Sequence, residues 1–277
     1  MTAGRIRNTH RPRPTTATAE SAGSVESVGT ATIGGPVHVD EVTSVRLRRL
    51  AALLGAVGPV VFTLGWGIGQ AVQDGRYDPG RDDISDLGAL TARHPWVVLT
   101  GQALGGAAIV VFALVALRFL VRDSRAGRVG AWLLALSGLG LGNLLDTLFR
   151  LDCRAADGCD LAHRAASWHG TIHEIGGVTI LLLAMAPLVL TMAFRHLPGW
   201  AGFALASQAV GSVQLLLLMA YLALGGHDGS GYVQRAIGLL AAAWIVTLAV
   251  RVLRRPRSML SPSPDEASPE PVGRPAL

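Results

Sequence analysis

The chain is 277 residues long, 50% hydrophobic and 16% charged, with a formal net charge of +5. Soluble domains carry about 25% charged residues, and here the apolar residues stand in long uncharged runs without a polar face, which excludes a soluble helical bundle. Every basic residue is arginine, as a G+C-rich coding sequence produces, and in a polytopic chain such charges are explained first by topology, so no nucleic-acid partner is expected.

In chain order, residues 1–45 form an arm of Pro, Thr, Ser, Gly and Arg. It lacks the apolar region of a cleavable signal peptide, and its composition predicts disorder. Six apolar runs follow, at Leu50–Val72, Pro95–Leu117, Val129–Phe149, His173–Phe194, Trp200–Leu224 and Tyr232–Val250. A helix needs about 20 apolar residues to cross a bilayer core, so these runs predict an all-α bundle of six transmembrane helices over residues 46–257. The third run contains Asp146, and Arg235 stands near the start of the sixth. Residues 258–277 are a Pro/Ser-rich tail, also predicted to be disordered.

Arginines cluster at alternate span ends: Arg46, Arg48 and Arg49; Arg118, Arg122, Arg125 and Arg128; Arg195; and Arg251, Arg254, Arg255 and Arg257. The positive-inside rule places this side, with both termini, in the cytoplasm and the spans in the plasma (inner) membrane. The opposite, outward side holds Arg76, Arg81, Arg93, Arg150, Arg154 and Arg164 with most of the acidic residues. Two outward loops, Gln73–His94 and Arg150–Ile172, are long enough to build a site. Cys153 and Cys159 lie in the second of them. An oxidising compartment permits a disulfide; two free thiols, or two metal ligands with His163, are the alternatives. The gap between them is longer than the usual short zinc spacing.

Within the runs, Gly101, Gly105, Gly106, Gly138, Gly140, Gly142, Gly176 and Gly177 are expected to let helix backbones approach closely. Trp66, Trp96, Trp168 and Trp200 fall near predicted span ends, where Trp anchors at the membrane interface. Gln208, Gln214 and Ser137 are the main polar residues deeper in the spans.

Four polar features share one depth at the outward face: the loop Tyr77–Gly88, Asn143 with Asp146, His169 and His173 with Glu174, and His227 with Asp228. Residues four apart on a helix share a face, so the two histidines point the same way at the mouth of the fourth span, a depth where ionisable groups are functional-site candidates. Neutral imidazole and carboxylate suit a divalent metal, which makes Asp146, His169 and His173 candidate ligands for Zn2+. The competing readings are interfacial histidines bonded to loop carbonyls and an Asp146–Arg150 pair one helical turn apart. His-x-x-x-His-Glu is not the zincin order, and Glu174 points about 100° away from His173, so it is not assigned as a general base. Ser85 and Asp86 border the second span and are candidate assisting catalytic groups, or caps of a short helix. Asp82 and Asp83 read as solvated loop charges, Asp78-Pro79-Gly80 and the glycine-rich stretch around His227 as turns, and His94 and His163 as loop residues.

Tyr77-Asp78-Pro79, then Ile84-Ser85-Asp86-Leu87-Gly88, then Asp146 late in the third span, then His169-x-x-x-His173 opening the fourth, resembles the bacterial and archaeal membrane family called domain of unknown function 998. The resemblance covers roughly residues 50–250 and implies a six-helix integral membrane protein with no stated activity. The long N-terminal arm and the Cys153–Cys159 loop depart from its pattern. A looser similarity is to membrane-embedded metal hydrolases of the alkaline ceramidase and progestin-receptor-like type. It places Ser85, Asp146, His169 and His173 in a metal-dependent site, although those proteins have seven spans and carry the His pair in the last.

The chemistry expected is therefore a hydrolase acting on a lipid or amide substrate, in which bound zinc would polarise the carbonyl and lower the pKa of its water to about 7. The alternatives are a proton-coupled small-molecule transporter using Asp146 and the histidines, and a non-catalytic membrane component that meets a partner protein through its outward loops.

Overall fold

A computed structural model describes residues 37–255, with side chains from residue 43. The arm before residue 37 and the tail after residue 255, Arg257 included, lie outside the described residues. The described residues are helical and irregular, without a strand, and six helices are long and apolar enough to cross a membrane. These spans are Thr43–Ala71, Trp96–Leu120, Arg125–Leu148, Trp168–Phe194, Ala201–Leu224 and Ser230–Leu253. Each packs on its neighbours in the chain, and the sixth returns onto the first, closing a ring.

Local chemistry explains where the ends differ from expectation. The first helix begins at Val37, ahead of the expected boundary at residue 46. The third starts at Arg125 because the Ser124 side chain accepts a hydrogen bond from the Gly127 amide, satisfying one of the free donors of a first turn. Ser167 does the same for the Gly170 amide. The fourth span therefore starts at Trp168, and both His169 and His173 lie within its first turns. Gly225 takes a left-handed conformation (φ 53°) and ends the fifth span, the position where glycine escapes the Cβ penalty.

The first and second spans touch through glycine. A Cβ on Gly65 would come within 2.8 Å of the Gly101 Cα, and one on Gly101 within 2.8 Å of the Gly65 Cα. Side-chain-free positions of this kind bring membrane helices into backbone contact.

The third and fourth spans are both broken. The third loosens over Gly138–Gly142, where Gly140 has φ −91° and ψ −106°. The fourth is interrupted between Gly176 and Thr179, and the Thr179 hydroxyl donates to the Gly176 carbonyl at 2.7 Å. Irregular backbone at membrane depth is tolerated where protein buries it or where it lines a cavity, and these breaks adjoin the cavity described below.

Two tryptophans depart from the anchoring role. Trp200 is 4% exposed and packs on Phe194 and Phe203, with Arg251 and Arg255 over its ring. Trp66 is also buried, with Arg235 5.8 Å from its ring centre. Both are core residues because polar or cationic neighbours cover them. Trp96 and Trp168 are exposed, as interface anchors must be.

Candidate functional site

The end of the bundle opposite the arginine clusters is built by the two long loops. In the first, the Asp78 carboxylate accepts from the Gly80 amide at 2.8 Å, the expected turn. Asp82 and Asp83 are not the solvated charges their loop position predicts. Asp82 is 1% exposed and accepts from the Asp78 amide at 2.8 Å and from Arg81 Nε at 3.2 Å. Asp83 accepts from the Tyr221 hydroxyl at 2.9 Å. Both are drawn inward because the loop folds over Arg235. That guanidinium donates to the Asp82 carbonyl at 3.0 Å, the Gly231 carbonyl at 2.9 Å, Gln70 Oε1 at 3.3 Å and the Tyr77 hydroxyl. Gln234, also from the sixth span, accepts from the Ile84 amide at 2.7 Å.

Arg154 ties the second loop to the first. It is 1% exposed and donates to Asp157, Asp74 and Gln73. These bonds hold the Asp157 carboxyl down at about 2 and lower that of Asp74. A Cys153–Cys159 disulfide closes the same loop. His163 is exposed and its Nδ1 lies 2.7 Å from Asp160 Oδ1.

A short 3-10 helix does form at Ser85–Gly88, but neither Ser85 nor Asp86 caps it. Asp86 is fully buried and joins the loops instead. Its carboxylate accepts from the amides of Asp83 at 3.2 Å and Ala155 at 3.3 Å and faces the Arg164 guanidinium at 3.3 Å. Burial pushes its carboxyl up to about 6, against the opposing pull of Arg164. Ser85 lies on the wall of a cavity inside the helix ring.

That cavity measures about 680 Å³. Its polar end holds Asp83, Ser85, Gln102, Asp146, Arg164, His173, Glu174 and Tyr221, and its remaining wall is largely apolar. Val178, Leu181, Met219 and Leu222 line it and are also exposed on the apolar outside of the bundle. The cavity therefore reaches the surface between the fourth and fifth spans. Asn143, beside the break in the third span, is buried at its wall and donates to the Leu139 carbonyl.

Asp146 meets His173 and not Arg150. His173 Nδ1 lies 3.3 Å from Asp146 Oδ1 and 2.8 Å from the Phe149 carbonyl, while Gln102 Nε2 reaches Asp146 Oδ2 at 3.5 Å. Arg150 is taken up by the carbonyls of Gly88 at 2.7 Å and Ala89 at 2.9 Å. His169 shares a helix face with His173, as the spacing predicts, and both approach Phe149. However, the His169 ring lies against Trp168, 3.6 Å between centres, and no described hydrogen bond or ion pair joins it to Asp146. Among the described residues, no three His, Cys, Asp or Glu side chains group so as to hold a metal ion. As placed, Asp146, His169 and His173 do not make a zinc donor set.

Glu174 faces Arg164 Nε at 3.9 Å. His227 and Asp228 sit in the expected turn, pinned where the Gly229 and Gly231 amides each donate to the Gly80 carbonyl at 3.0 Å. Sequence reasoning missed Gln102, Arg164, Tyr221 and Arg235. Gln102 left a signal, a lone amide in an otherwise apolar run. Arg164 and Arg235 left a weaker one, as arginines on the side that the positive-inside rule expects to be poor in them.

Fold and site together define a multi-span helical membrane protein with a polar cavity near one end of its bundle. The family described as protein of unknown function (DUF998) matches residues 56–251, and the chain belongs to it. No curated protein and no solved structure matches the chain.

Proposed function

We propose that the protein takes a lipid-class amphiphile into this cavity from the surrounding membrane. The carrying observation is the cavity itself. At about 680 Å³ it lies in the range of small-molecule sites, roughly 300–1,000 Å³. It presents charged and amide groups at one end and apolar wall elsewhere, and its rim residues Val178, Leu181, Met219 and Leu222 are exposed where a surrounding membrane would place hydrocarbon. A chain could slide in from the bilayer without crossing water. The loop-rich end is taken to face outward, which suits both the disulfide, at home in an oxidising compartment, and the arginine clusters at the other end.

Gly238 supplies the test, because it lines the cavity and a Cβ there would meet nothing within 4 Å. Gly238→Phe sets its Cβ in open space and its ring against the cavity, taking up part of the volume. Native mass spectrometry of protein released from lipid nanodiscs should show retained lipid on the wild type and its loss in Gly238→Phe at unchanged melting temperature. Equal retention by both would sink the proposal.

One observation favours a chemical step as well. Asp146 and His173 are in contact on the cavity wall, and such a pair can take and return a proton. This serves hydrolysis of a bound ester or amide, or proton-coupled movement of the ligand. In either case His173→Gln abolishes turnover or pH-dependent flux while lipid retention persists. Zinc-assisted hydrolysis would additionally need His169 to leave Trp168, and it predicts stoichiometric metal that His169→Ala loses.

A further inference from the structure

We propose that the polar end of the cavity selects an amphiphile carrying an amine, in preference to one carrying a phosphate or other anion. This rests on the amphiphile-binding reading above and specifies its headgroup.

The charge balance comes first. Asp83, Asp146 and Glu174 line the cavity, whereas Arg164 is the arginine on its wall. That guanidinium faces Asp83 at 3.5 Å, Asp86 at 3.3 Å and Glu174 at 3.9 Å, with its Nε left without a hydrogen-bond partner among the described residues. A single cation facing three carboxylates has little attraction left for an anionic headgroup. Among the described residues, Asp146 is met by His173 and the Gln102 amide. The second observation is independent of charge. Gln102 is 3% exposed and its Oε1 has no hydrogen-bond partner among the described residues. Its Nε2 reaches Asp146 at 3.5 Å, while Oε1 as placed is closed off from the open cavity. A buried acceptor left unpaired is costly, so a turn of the Gln102 side chain that brings Oε1 to a ligand's donor is favoured. His173 adds to the same polarity. Its Nδ1 faces the Phe149 carbonyl, which fixes the proton there in the neutral ring and leaves Nε2 as an acceptor. Carboxylate and imidazole on the cavity wall, with the Gln102 amide oxygen one side-chain turn away, thus favour an ammonium group with several N–H donors over a phosphate, which is chiefly an acceptor.

Radiolabelled tetradecylamine and tetradecyl phosphate are the probes, in phosphatidylcholine nanodiscs carrying wild type or Gly238→Phe. Binding is the excess retained by wild type over the filled variant, which subtracts partition into bilayer. Gly176→Phe, also placed at open space on the wall, substitutes if Gly238→Phe fails to fold. The amine should bind at least about tenfold more tightly than the phosphate, as one charge-assisted hydrogen bond provides. Gln102→Leu and Asp146→Asn should each cut amine binding by about tenfold and leave phosphate binding unchanged. The wild-type comparison stands even if Asp146→Asn does not fold. Phosphate bound as tightly as amine, with the excess still lost on filling, overturns the amine preference and leaves the cavity reading intact. No excess for either probe overturns both.

Discussion

Arg235 is 6% exposed in the sixth span, yet four acceptors meet its guanidinium. A buried charge survives only when its donors are satisfied, and the planar fork of arginine serves several acceptors at once. Arg235→Ala would leave the Tyr77 hydroxyl, the Asp82 carbonyl and the Gln70 amide without their donor, at about 1–3 kcal/mol for a group that stays buried. Thermal unfolding in detergent should fall accordingly, and Arg235→Lys should recover only part of the loss. Full rescue by lysine would show that charge alone, not the fork, holds the loop.

Two aspartates at the same end give opposite pH dependence. Asp86 has its carboxyl near 6, above the ordinary value of 3.8, so the folded chain takes up that proton first. Its contribution favours folding at acid pH and is lost as pH rises through about 6. Asp157, near 2, contributes above the ordinary value and loses its contribution as pH falls toward about 2. Melting curves between about pH 2 and 7 should therefore show Asp86→Asn removing the gain on going from about 6 to 4. Asp157→Asn should remove the loss below about 4. Parallel curves for wild type and both variants would contradict these assignments.

At the scale of elements, the helix contacts and the breaks have one cause. Close approach of the first and second spans at Gly65 and Gly101 leaves no room for a side chain. Gly101→Val should destabilise the protein by about 1–3 kcal/mol, the usual cost of overpacking. Gly67→Ala, where a Cβ meets nothing within 4 Å, should be near neutral in the same assay. The spans themselves were legible from apolar length, because a bilayer crossing leaves a run of about 20 residues whatever the tertiary structure. The Asp146–His173 pairing was half legible: spacing put the histidines on one face, but ring orientation depends on Trp168 and Phe149, which only packing decides. The roles of Asp82, Asp83 and Arg164 were not legible, because a loop charge looks the same in sequence whether water or a buried partner receives it. Asp86 was read as a helix cap or catalytic group for the same reason: its partners Ala155 and Arg164 come from a distant loop.

For the whole molecule, the arginines divide into two kinds. Those at one end cluster beside the spans; those at the other, such as Arg150, Arg154, Arg164 and Arg235, are consumed by carbonyls and carboxylates. Arginines paired in this way hold loops together, whereas the clustered set is the one that the positive-inside rule weighs in the proposed orientation. Of cysteines introduced at the exposed positions His196 and Asp228, Asp228→Cys should be labelled by an impermeant maleimide added to intact cells and His196→Cys only once the cells are opened. Wild type should be labelled only after reduction, since its two cysteines are bonded to each other. Labelling of His196→Cys from outside would invert the topology and with it the side from which the cavity is reached.

The proposed binding rests on the cavity inside the helix ring, and cryo-electron microscopy of the protein in lipid nanodiscs tests it most directly. Wild type should show elongated density inside the helix ring, its head beside Gln102 and Asp146 and its chain leaving between Val178 and Met219, and Gly238→Phe should show none. A wild-type cavity closed by side chains, or filled only by isolated waters, would contradict the account.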